Sequence, residues 1–300
     1  MRIGTRRSAL ALAQANLVAE LLGGGEIVQI VTSGDRGAPA QDKSRWVGEL
    51  EQALAAGEVD IAVHSAKDVP GELADGLSLL GAPARAAAED VLCGKAGLDA
   101  LASGARVGTS SIRRVAQLRA ARPDLDVVAV RGNVDTRLRK LADPSEGLGA
   151  IVLAHAGLQR LGRESDVGAA LDPERFVPAP GQGVLALQGR AEDTRAAEAV
   201  RAIGDSETFA CLLAERALAR GLGADCHTPL GAHAMPAGRG RLRVCAWVGL
   251  PDGSEWMRDE LIGGVHEPEA LGRAVAERMS AAGAAELLAR AQEMAGVGGA

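Results

Sequence analysis

The strongest signal of the fold is one strand-to-helix junction, Arg106-Val107-Gly108-Thr109-Ser110-Ser111-Ile112-Arg113-Arg114. A short strand-like run ends at Gly108, hydroxyl residues follow, and apolar residues then recur at helical spacing. Similar alternation runs through the first two-thirds of the chain, which predicts open, mostly parallel α/β sheets with ligands beyond the carboxyl ends of the strands. The predicted strands are 26–32, 60–64, 106–108, 127–130 and 150–153, and the predicted helices are 8–22, 47–56, 111–121 and 133–141.

The last hundred residues follow a different pattern. A helix is predicted over 205–220, with Asp205 or Ser206 as its cap and Gly221 as its stop. Two strand-like segments, 242–250 and 255–262, are joined by the turn sequence Pro251-Asp252-Gly253-Ser254. One Ala-rich helical segment is predicted over 268–294. This order indicates a small α+β domain with an antiparallel sheet.

The composition limits the classes of function. The chain has 300 residues and is 47% hydrophobic, which favours two or three domains with sizeable cores. Its 33 basic and 39 acidic residues leave a net charge of −6, and Tyr is absent, so a surface built for nucleic acid is disfavoured. Polar residues interrupt the apolar N-terminal stretch, and no run is long enough to span a membrane. We therefore expect a cytoplasmic protein.

The four cysteines indicate thiol chemistry at one or two positions at most. They form no Cys-x-x-Cys pair and no zinc-ligand spacing, so we expect free thiols and no metal. Cys226 lies in the loop Gly223-Ala224-Asp225-Cys226-His227-Thr228-Pro229-Leu230-Gly231, where a reactive or modified thiol is favoured. Cys93, Cys211 and Cys245 lie in apolar surroundings and are interpreted as packing residues.

Arginines are concentrated at predicted strand-to-helix junctions. Only four of the basic residues are Lys, and Arg clusters occur in Thr5-Arg6-Arg7-Ser8, in the 108–114 junction and in Arg131-Gly132-Asn133-Val134-Asp135-Thr136-Arg137. Helix N-termini and guanidinium groups both bind anions. A single junction of this kind is better explained as a solvated helix cap, but three with the same architecture favour a cleft for a ligand with several carboxylates or phosphates.

A further junction carries an acid. The stretch His64-Ser65-Ala66-Lys67-Asp68-Val69-Pro70 follows a predicted strand. A carboxylate beside a Lys at a strand's carboxyl end suits acid–base chemistry or the stabilisation of a cation. A loop salt bridge between Lys67 and Asp68 explains the same pattern.

These stretches occur in a known family. The chain resembles porphobilinogen deaminase, also called hydroxymethylbilane synthase, and the similar segments run in order over nearly its whole length. They are 3–8 with 10–14, 60–70, 107–114, 131–138, 156–162, 178–183 and the Cys226 loop. The resemblance implies two hinged, doubly wound α/β lobes like those of type II periplasmic binding proteins, plus a small α+β C-terminal domain. The implied domains are 1–85 with 178–203, 86–177, and 204–300, the last carrying the cofactor cysteine.

The resemblance also implies a function and its groups. The family joins four porphobilinogen molecules head to tail with loss of ammonia and releases a linear tetrapyrrole by hydrolysis, in porphyrin and haem biosynthesis. The implied cofactor is a dipyrromethane held by a thioether to Cys226. The implied catalytic carboxylate is Asp68, which would stabilise cationic intermediates or assist loss of the amine. A monomer is expected.

Further site residues follow from the resemblance. The implied cofactor-binding residues are Ser65, Lys67, Thr109, Ser110, Ser111, Arg113, Arg114, Arg131, Gly132, Asn133 and Arg137. The implied substrate-binding residues are Arg6, Ser8, Gln14, Arg131, Arg137, Arg160 and Gln182. Lys43 and Trp46 align with a mobile lid, which here is shortened and lacks the family's glycines. Asp225 stands where the family has Gly, so a slower enzyme is one interpretation.

Two other classes of function fit part of the sequence. One is a two-lobed small-anion-binding protein without catalysis, which would give Cys226 no role. The other is a phosphate- or nucleotide-binding transferase using residues 108–111, which lacks a Gly-rich loop with Lys.

Overall fold

A computed structural model describes residues 1–32, 47–94, 97–224 and 228–297 of the chain. The chain forms two compact units, Met1–Ala86 with Gly183–Leu212, and Ala87–Gln182 with Leu213–Ala300. The helices are α1 Ala9–Leu21, α2 Gly48–Ala55, α3 Ile112–Ala121, α4 Val134–Ala142, α5 His155–Arg160, α6 Thr194–Ile203, α7 Ser206–Gly221, α8 Pro268–Ala281 and α9 Ala284–Val297. The strands are β1 Arg2–Arg6, β2 Glu26–Ile30, β3 Ile61–Ser65, β4 Leu77–Gly81, β5 Asp90–Cys93, β6 Arg106–Gly108, β7 Asp126–Val128, β8 Ala150–Ala154, β9 Val167–Ala170, β10 Leu185–Arg190, β11 Leu230–Pro236, β12 Arg241–Gly249 and β13 Trp256–Gly264.

The first unit is built on a mixed sheet of order β2-β1-β3-β10-β4. Strand β1 runs parallel to β2 and β3, whereas β10 runs antiparallel to β3 and β4. Ile3 and Ile61 pack under α1 and α6 on one face. Ala62 points to the opposite face, where it packs with Leu50 and Leu54 of α2. Because residues alternate between the two faces of a strand, both faces are apolar and both are covered by helices.

The α/β sheet of the second unit repeats this plan with the order β7-β6-β8-β5-β9. Strand β6 runs parallel to β7 and β8, and β5 runs antiparallel to β8 and β9. Leu118 of α3 packs against Val107 and Val152 on one face. Leu138 of α4 and Leu158 of α5 pack on the other face. Each fully buried Leu or Val contributes about 1.5–3 kcal/mol to folding.

The second unit also holds a three-stranded antiparallel sheet, β11-β12-β13. Its β12–β13 turn is the predicted hairpin turn, in which Leu250 N donates to Glu255 O at 2.8 Å and Gly253 has φ +78°. Within the same unit, Cys245 and Trp247 of β12 pack against Ala116 of α3. The predicted α+β character of the C-terminal region is confirmed.

The fold class is confirmed, with one correction. In each described α/β sheet four of the five strands run in one direction, as predicted, and β10 in the first sheet and β5 in the second run antiparallel to both of their neighbours. The single helix predicted over 268–294 is wrong. Gly283, at φ +99°, separates α8 from α9, and that left-handed conformation ends an α-helix. No helix among the described residues is long and apolar enough to cross a membrane.

Candidate active site

The carboxyl edge of the first sheet gathers four of the predicted site residues. Arg6 ends β1, and the Ser8 side chain caps α1 by accepting from Ala11 N at 3.3 Å. Gln14, buried on α1, donates from Nε2 to Ser65 Oγ at 2.9 Å, and Ser65 ends β3. The ends of these two strands and the start of α1 are therefore tied together by side chains.

Asp68 lies on a short 3-10 turn, Ala66–Asp68, that continues directly from β3. Ala66 N donates to Val184 O at 3.0 Å, and Val69 N donates to Ala66 O at 3.1 Å. Ala66 and Val69 are buried, so the turn is anchored on both sides of Asp68, which is itself only partly buried. Among the described residues no ion pair includes the Asp68 carboxylate, so a loop salt bridge with Lys67 finds no support. The turn therefore presents the Asp68 carboxylate from an anchored support.

Behind this turn lies a polar chain that sequence analysis missed, buried at His64 and Gln188 and partly buried at Glu51. His64 Nε2 lies 3.0 Å from Gln188 Oε1, and Gln188 Nε2 donates to Glu51 Oε1 at 2.7 Å. Burial lowers the pKa of His64 to about 4, although the Gln188 contact and the Asp68 charge oppose the shift. The imidazole is therefore neutral at neutral pH.

In the second unit, the hydroxyl residues predicted as cofactor ligands follow β6. Thr109 is buried, its N donates to Val128 O at 2.9 Å, and its Oγ1 accepts from Ser111 N at 3.2 Å. Ser110 is exposed, and Ser111 is the N-cap residue of α3. Thr109 thus joins the ends of β6 and β7 and shapes the turn that opens α3.

Arg113 and Arg114, in the first turn of α3, share one buried carboxylate. Arg113 Nη2 lies 2.8 Å from Asp90 Oδ2, and Arg114 donates from Nη2 to Asp90 Oδ1 at 2.7 Å. Gln182 Nε2 donates to the same Oδ1 at 2.8 Å. Burial alone would raise the pKa of Asp90, but the two guanidinium groups hold it far below its usual range.

Asp90 is the second functional candidate that sequence analysis missed. The two arginines also donate to backbone, from Arg113 Nη1 to Val177 O at 2.9 Å and from Arg114 Nη1 to Val152 O at 3.0 Å. The described polar contacts of both guanidinium groups thus lie inside the protein. The two cations and one carboxylate leave a buried net positive charge. The sequence does contain one signal for Asp90, because it is a charged residue at the start of the otherwise apolar strand β5.

The remaining predicted arginines lie after β7 and β8. Gly132, at φ +121°, takes a turn that other residues rarely adopt, and its carbonyl accepts from Arg137 Nε at 2.7 Å. Burial, with a smaller effect of Arg114, lowers the pKa of Arg137. Burial also lowers the pKa of Arg160, at the end of α5, to about 10.

The arginine edge of the second unit has an excess of positive charge. Arg131 is exposed, Asn133 occupies the N-cap position of α4, and in the described part of the chain neither Arg131 nor Arg137 forms an ion pair. A partly buried guanidinium group without a carboxylate partner, such as that of Arg137, favours a bound anion. The cluster at Asp90, in which two guanidinium groups share one carboxylate, adds to this positive charge. This edge is therefore suited to a ligand with several carboxylates.

Predicted residues of the cofactor loop and of the lid lie outside the described part of the chain. They are Cys226 and Asp225 of the cofactor loop, and Lys43 and Trp46 of the lid. Cys93, Cys211 and Cys245 are buried and form no disulfide with one another, as expected of packing residues, and burial raises the pKa of Cys93 to about 11. Among the described residues, no group of three or more His, Cys, Asp or Glu side chains could hold a metal ion.

The fold and these residues define a class of protein: a doubly wound α/β protein whose strand edges carry a carboxylate in one unit and an arginine cluster in the other. Two family models identify the family within that class. The model for the porphobilinogen deaminase dipyrromethane cofactor-binding domain matches residues 1–198, and the model for the porphobilinogen deaminase C-terminal domain matches residues 209–281. The chain belongs to the porphobilinogen deaminase family.

Curated relatives match over nearly the full length. The porphobilinogen deaminase of Deinococcus radiodurans is 44% identical, with 97% of this chain and 98% of that protein covered. That of Thermus thermophilus is 44% identical, with 96% and 98% covered. Among solved structures, a periplasmic substrate-binding protein of an ABC transporter from Coxiella burnetii is 15% identical, with TM-score 0.42 and 68% of this chain and 91% of that one covered.

Proposed function

We propose that this chain builds its tetrapyrrole on a dipyrromethane attached to Cys226, with Asp68 as the catalytic carboxylate. The reaction is that of hydroxymethylbilane synthase, a transferase of porphyrin and haem biosynthesis. Four porphobilinogen molecules are joined head to tail with loss of ammonia, and the linear tetrapyrrole is released by hydrolysis. Membership of the family supports this reaction, and the roles of Cys226 and Asp68 are proposed.

The described residues fit the cofactor. A dipyrromethane made from porphobilinogen carries acetate and propionate carboxylates, and when bound it supplies the pyrrole ring that is extended. Arg131 and Arg137 are cations without an acidic partner among the described residues. The Asp90 cluster adds two guanidinium groups for one carboxylate. Carboxylates on the ligand would balance this excess charge, and they would matter most at Arg137, because a partly buried cation is stabilised by an anionic partner.

We assign the remaining binding residues by their place and chemistry. Thr109, Ser110 and Ser111, with the amides of Gly132 and Asn133, surround two helix N-termini, which favour anions. The other proposed cofactor ligands are Ser65, Lys67, Arg113 and Arg114. The proposed substrate ligands are Arg6, Ser8, Gln14, Arg131, Arg137, Arg160 and Gln182. The proposed lid residues are Lys43 and Trp46.

Asp68 acts through its charge. Loss of ammonia leaves a substrate cation, and carbon–carbon coupling generates a second cation before a proton is lost. A carboxylate on the anchored Ala66–Asp68 turn stabilises both by accepting hydrogen bonds from pyrrole N–H groups. Because the turn is held at Ala66 and Val69, little reorganisation is needed when the positive charge develops.

The wider setting is proposed from chemistry and composition. We propose a cytoplasmic monomer that binds neither nucleic acid nor membrane, with porphobilinogen and the growing polypyrrole as its ligands. We also retain the three-part division of 1–85 with 178–203, 86–177, and 204–300 as a proposal.

A turnover assay tests the proposed residues together. Purified full-length protein is incubated with porphobilinogen, and the product is followed by porphyrin absorbance after acid treatment and oxidation. We expect porphyrin from the wild type and ammonia released in proportion to the porphobilinogen consumed. If Asp68→Asn retained wild-type turnover, the role of Asp68 would be refuted. If Cys226→Ser retained it, attachment of the cofactor to Cys226 would be refuted.

A further inference from the structure

The buried chain Glu51–Gln188–His64 fixes one protonation state of the imidazole. Glu51 Oε1 accepts from Gln188 Nε2 at 2.7 Å and from Ala74 N at 3.3 Å, so the carboxylate acts as an acceptor. The amide nitrogen of Gln188 must then face Glu51, and its oxygen must face His64. His64 Nε2, 3.0 Å from that oxygen, therefore carries the proton, and Nδ1 carries the lone pair.

The surroundings of His64 keep this tautomer uncharged. The side chains of His64 and Gln188 are buried, and Gln188 offers a neutral oxygen rather than a carboxylate. The charged groups that act on the imidazole are Asp68 on the 3-10 turn, which favours protonation, and Arg6 on β1, which opposes it. Glu51 on α2 contacts the Gln188 amide, which in turn contacts His64.

The position of His64 links this chain to the proposed active site. His64 and Ser65 are the last residues of β3 before the Ala66–Asp68 turn. Ser65 is held from one side by Gln14, and His64 is held from the other by Gln188 of β10. Since successive side chains of a strand point to opposite faces, the two contacts fix both faces of the strand from which Asp68 projects.

We propose that His64 is a positioning residue for Asp68, a neutral Nε2–H donor that fixes the end of β3 through Gln188 and Glu51 and adds no positive charge beside the carboxylate. This inference rests on the proposed role of Asp68. A neutral neighbour matters because a cation at this position would pair with Asp68 and weaken its stabilisation of the substrate cation.

The tautomer is tested without any activity measurement. ¹⁵N-histidine-labelled full-length protein is examined by NMR at neutral pH, and the His64 resonances are assigned by their loss in His64→Gln. We expect a neutral ring protonated at Nε2. A ring protonated at Nδ1, or an imidazolium at neutral pH, would overturn the inference even if His64→Leu and Gln188→Leu failed to fold.

A matched pair of variants tests the positioning role. The side-chain nitrogen of Gln can take the place of Nε2–H, so His64→Gln should keep wild-type kcat, whereas His64→Leu should lower kcat by about tenfold to a hundredfold with KM unchanged. Gln188→Leu should resemble His64→Leu, and Gln29→Leu, at an exposed position of β2, should resemble the wild type. Equal loss of kcat in His64→Gln and His64→Leu would show that the imidazole itself is required, against the inference.

Failure of the inference can be distinguished from failure of the proposed function. If Asp68→Asn loses turnover while His64→Leu keeps it, only the positioning role is wrong. If Asp68→Asn keeps turnover, the proposed role of Asp68 is wrong whatever the state of His64.

Discussion

Asp68→Asn removes a negative charge while keeping the shape of the side chain and its capacity to accept a hydrogen bond. Asp68 is partly exposed on an anchored turn, so an effective dielectric constant of about 20 applies, and a cation about 4 Å away gains about 4 kcal/mol from the carboxylate. With about 1.4 kcal/mol for each tenfold change in rate, turnover should fall by about 10²–10³.

The stability of this variant should change little. The Asp68 carboxylate has no ion pair among the described residues, so its loss should alter the free energy of unfolding by about 0–1 kcal/mol. Single-turnover kinetics and urea unfolding measure the two effects on the same preparation. Asp75→Asn, at an exposed position beyond the same turn, is the matched control and should behave as the wild type. Near-normal turnover with a large loss of stability would refute the catalytic reasoning.

Arg137→Leu removes a partly buried cation that has no acidic partner among the described residues. Because this cation is proposed to bind the carboxylates of the incoming pyrroles, its loss should weaken their binding by about 2–5 kcal/mol and so impair assembly of the covalent cofactor, which lowers the cofactor-loaded fraction seen by mass spectrometry. Exposed Arg139→Leu is the control, and equal loading of the two variants would place the anion site elsewhere. Asp90→Ala leaves two buried guanidinium groups without their shared carboxylate and should lower the free energy of unfolding by about 3–5 kcal/mol in urea titration, whereas a change below 1 kcal/mol would contradict the buried pairing. The pKa of His64 is about 4 in the folded protein, against 6.5 for the ordinary imidazole of the unfolded chain. The unfolded chain therefore binds the proton more tightly. As a result, about 3 kcal/mol of the free energy of unfolding is present above pH 6.5 and is lost as the pH falls towards 4. His64→Gln should flatten the stability profile in that window, and an unchanged profile would contradict a buried neutral imidazole.

The parts of the fold that could be predicted from the sequence are those set by local periodicity. Strands β2, β3, β6, β7 and β8, and the helices between them, were predicted near their observed positions because each carries its own pattern of apolar residues. Strands β4, β5, β9, β10 and β11 were missed. β10 pairs with β3 and β4 across more than a hundred residues of sequence, and local patterns do not reveal such pairings.

In the candidate site, too, the features set by local sequence were predictable and the long-range contacts were not. The arginine junctions and the Asp68 turn were predictable because strand-to-helix junctions concentrate anion-binding groups. Asp90 was missed because its partners Arg113 and Arg114 are distant in sequence, and the Glu51–Gln188–His64 chain was missed because it joins α2, β10 and β3. The helix break at Gly283 was missed because a single Gly within an Ala-rich run is compatible with a continuous helix.

The intact mass of the purified full-length chain tests the central claim most directly. If the tetrapyrrole is built on a dipyrromethane at Cys226, the wild type should exceed its sequence mass by two porphobilinogen units less two molecules of ammonia. Cys226→Ser should have the bare sequence mass, and an aldehyde reagent for free pyrroles should colour the wild type alone. A wild type at its bare sequence mass after incubation with porphobilinogen, or the added mass on Cys93, Cys211 or Cys245, would contradict the account.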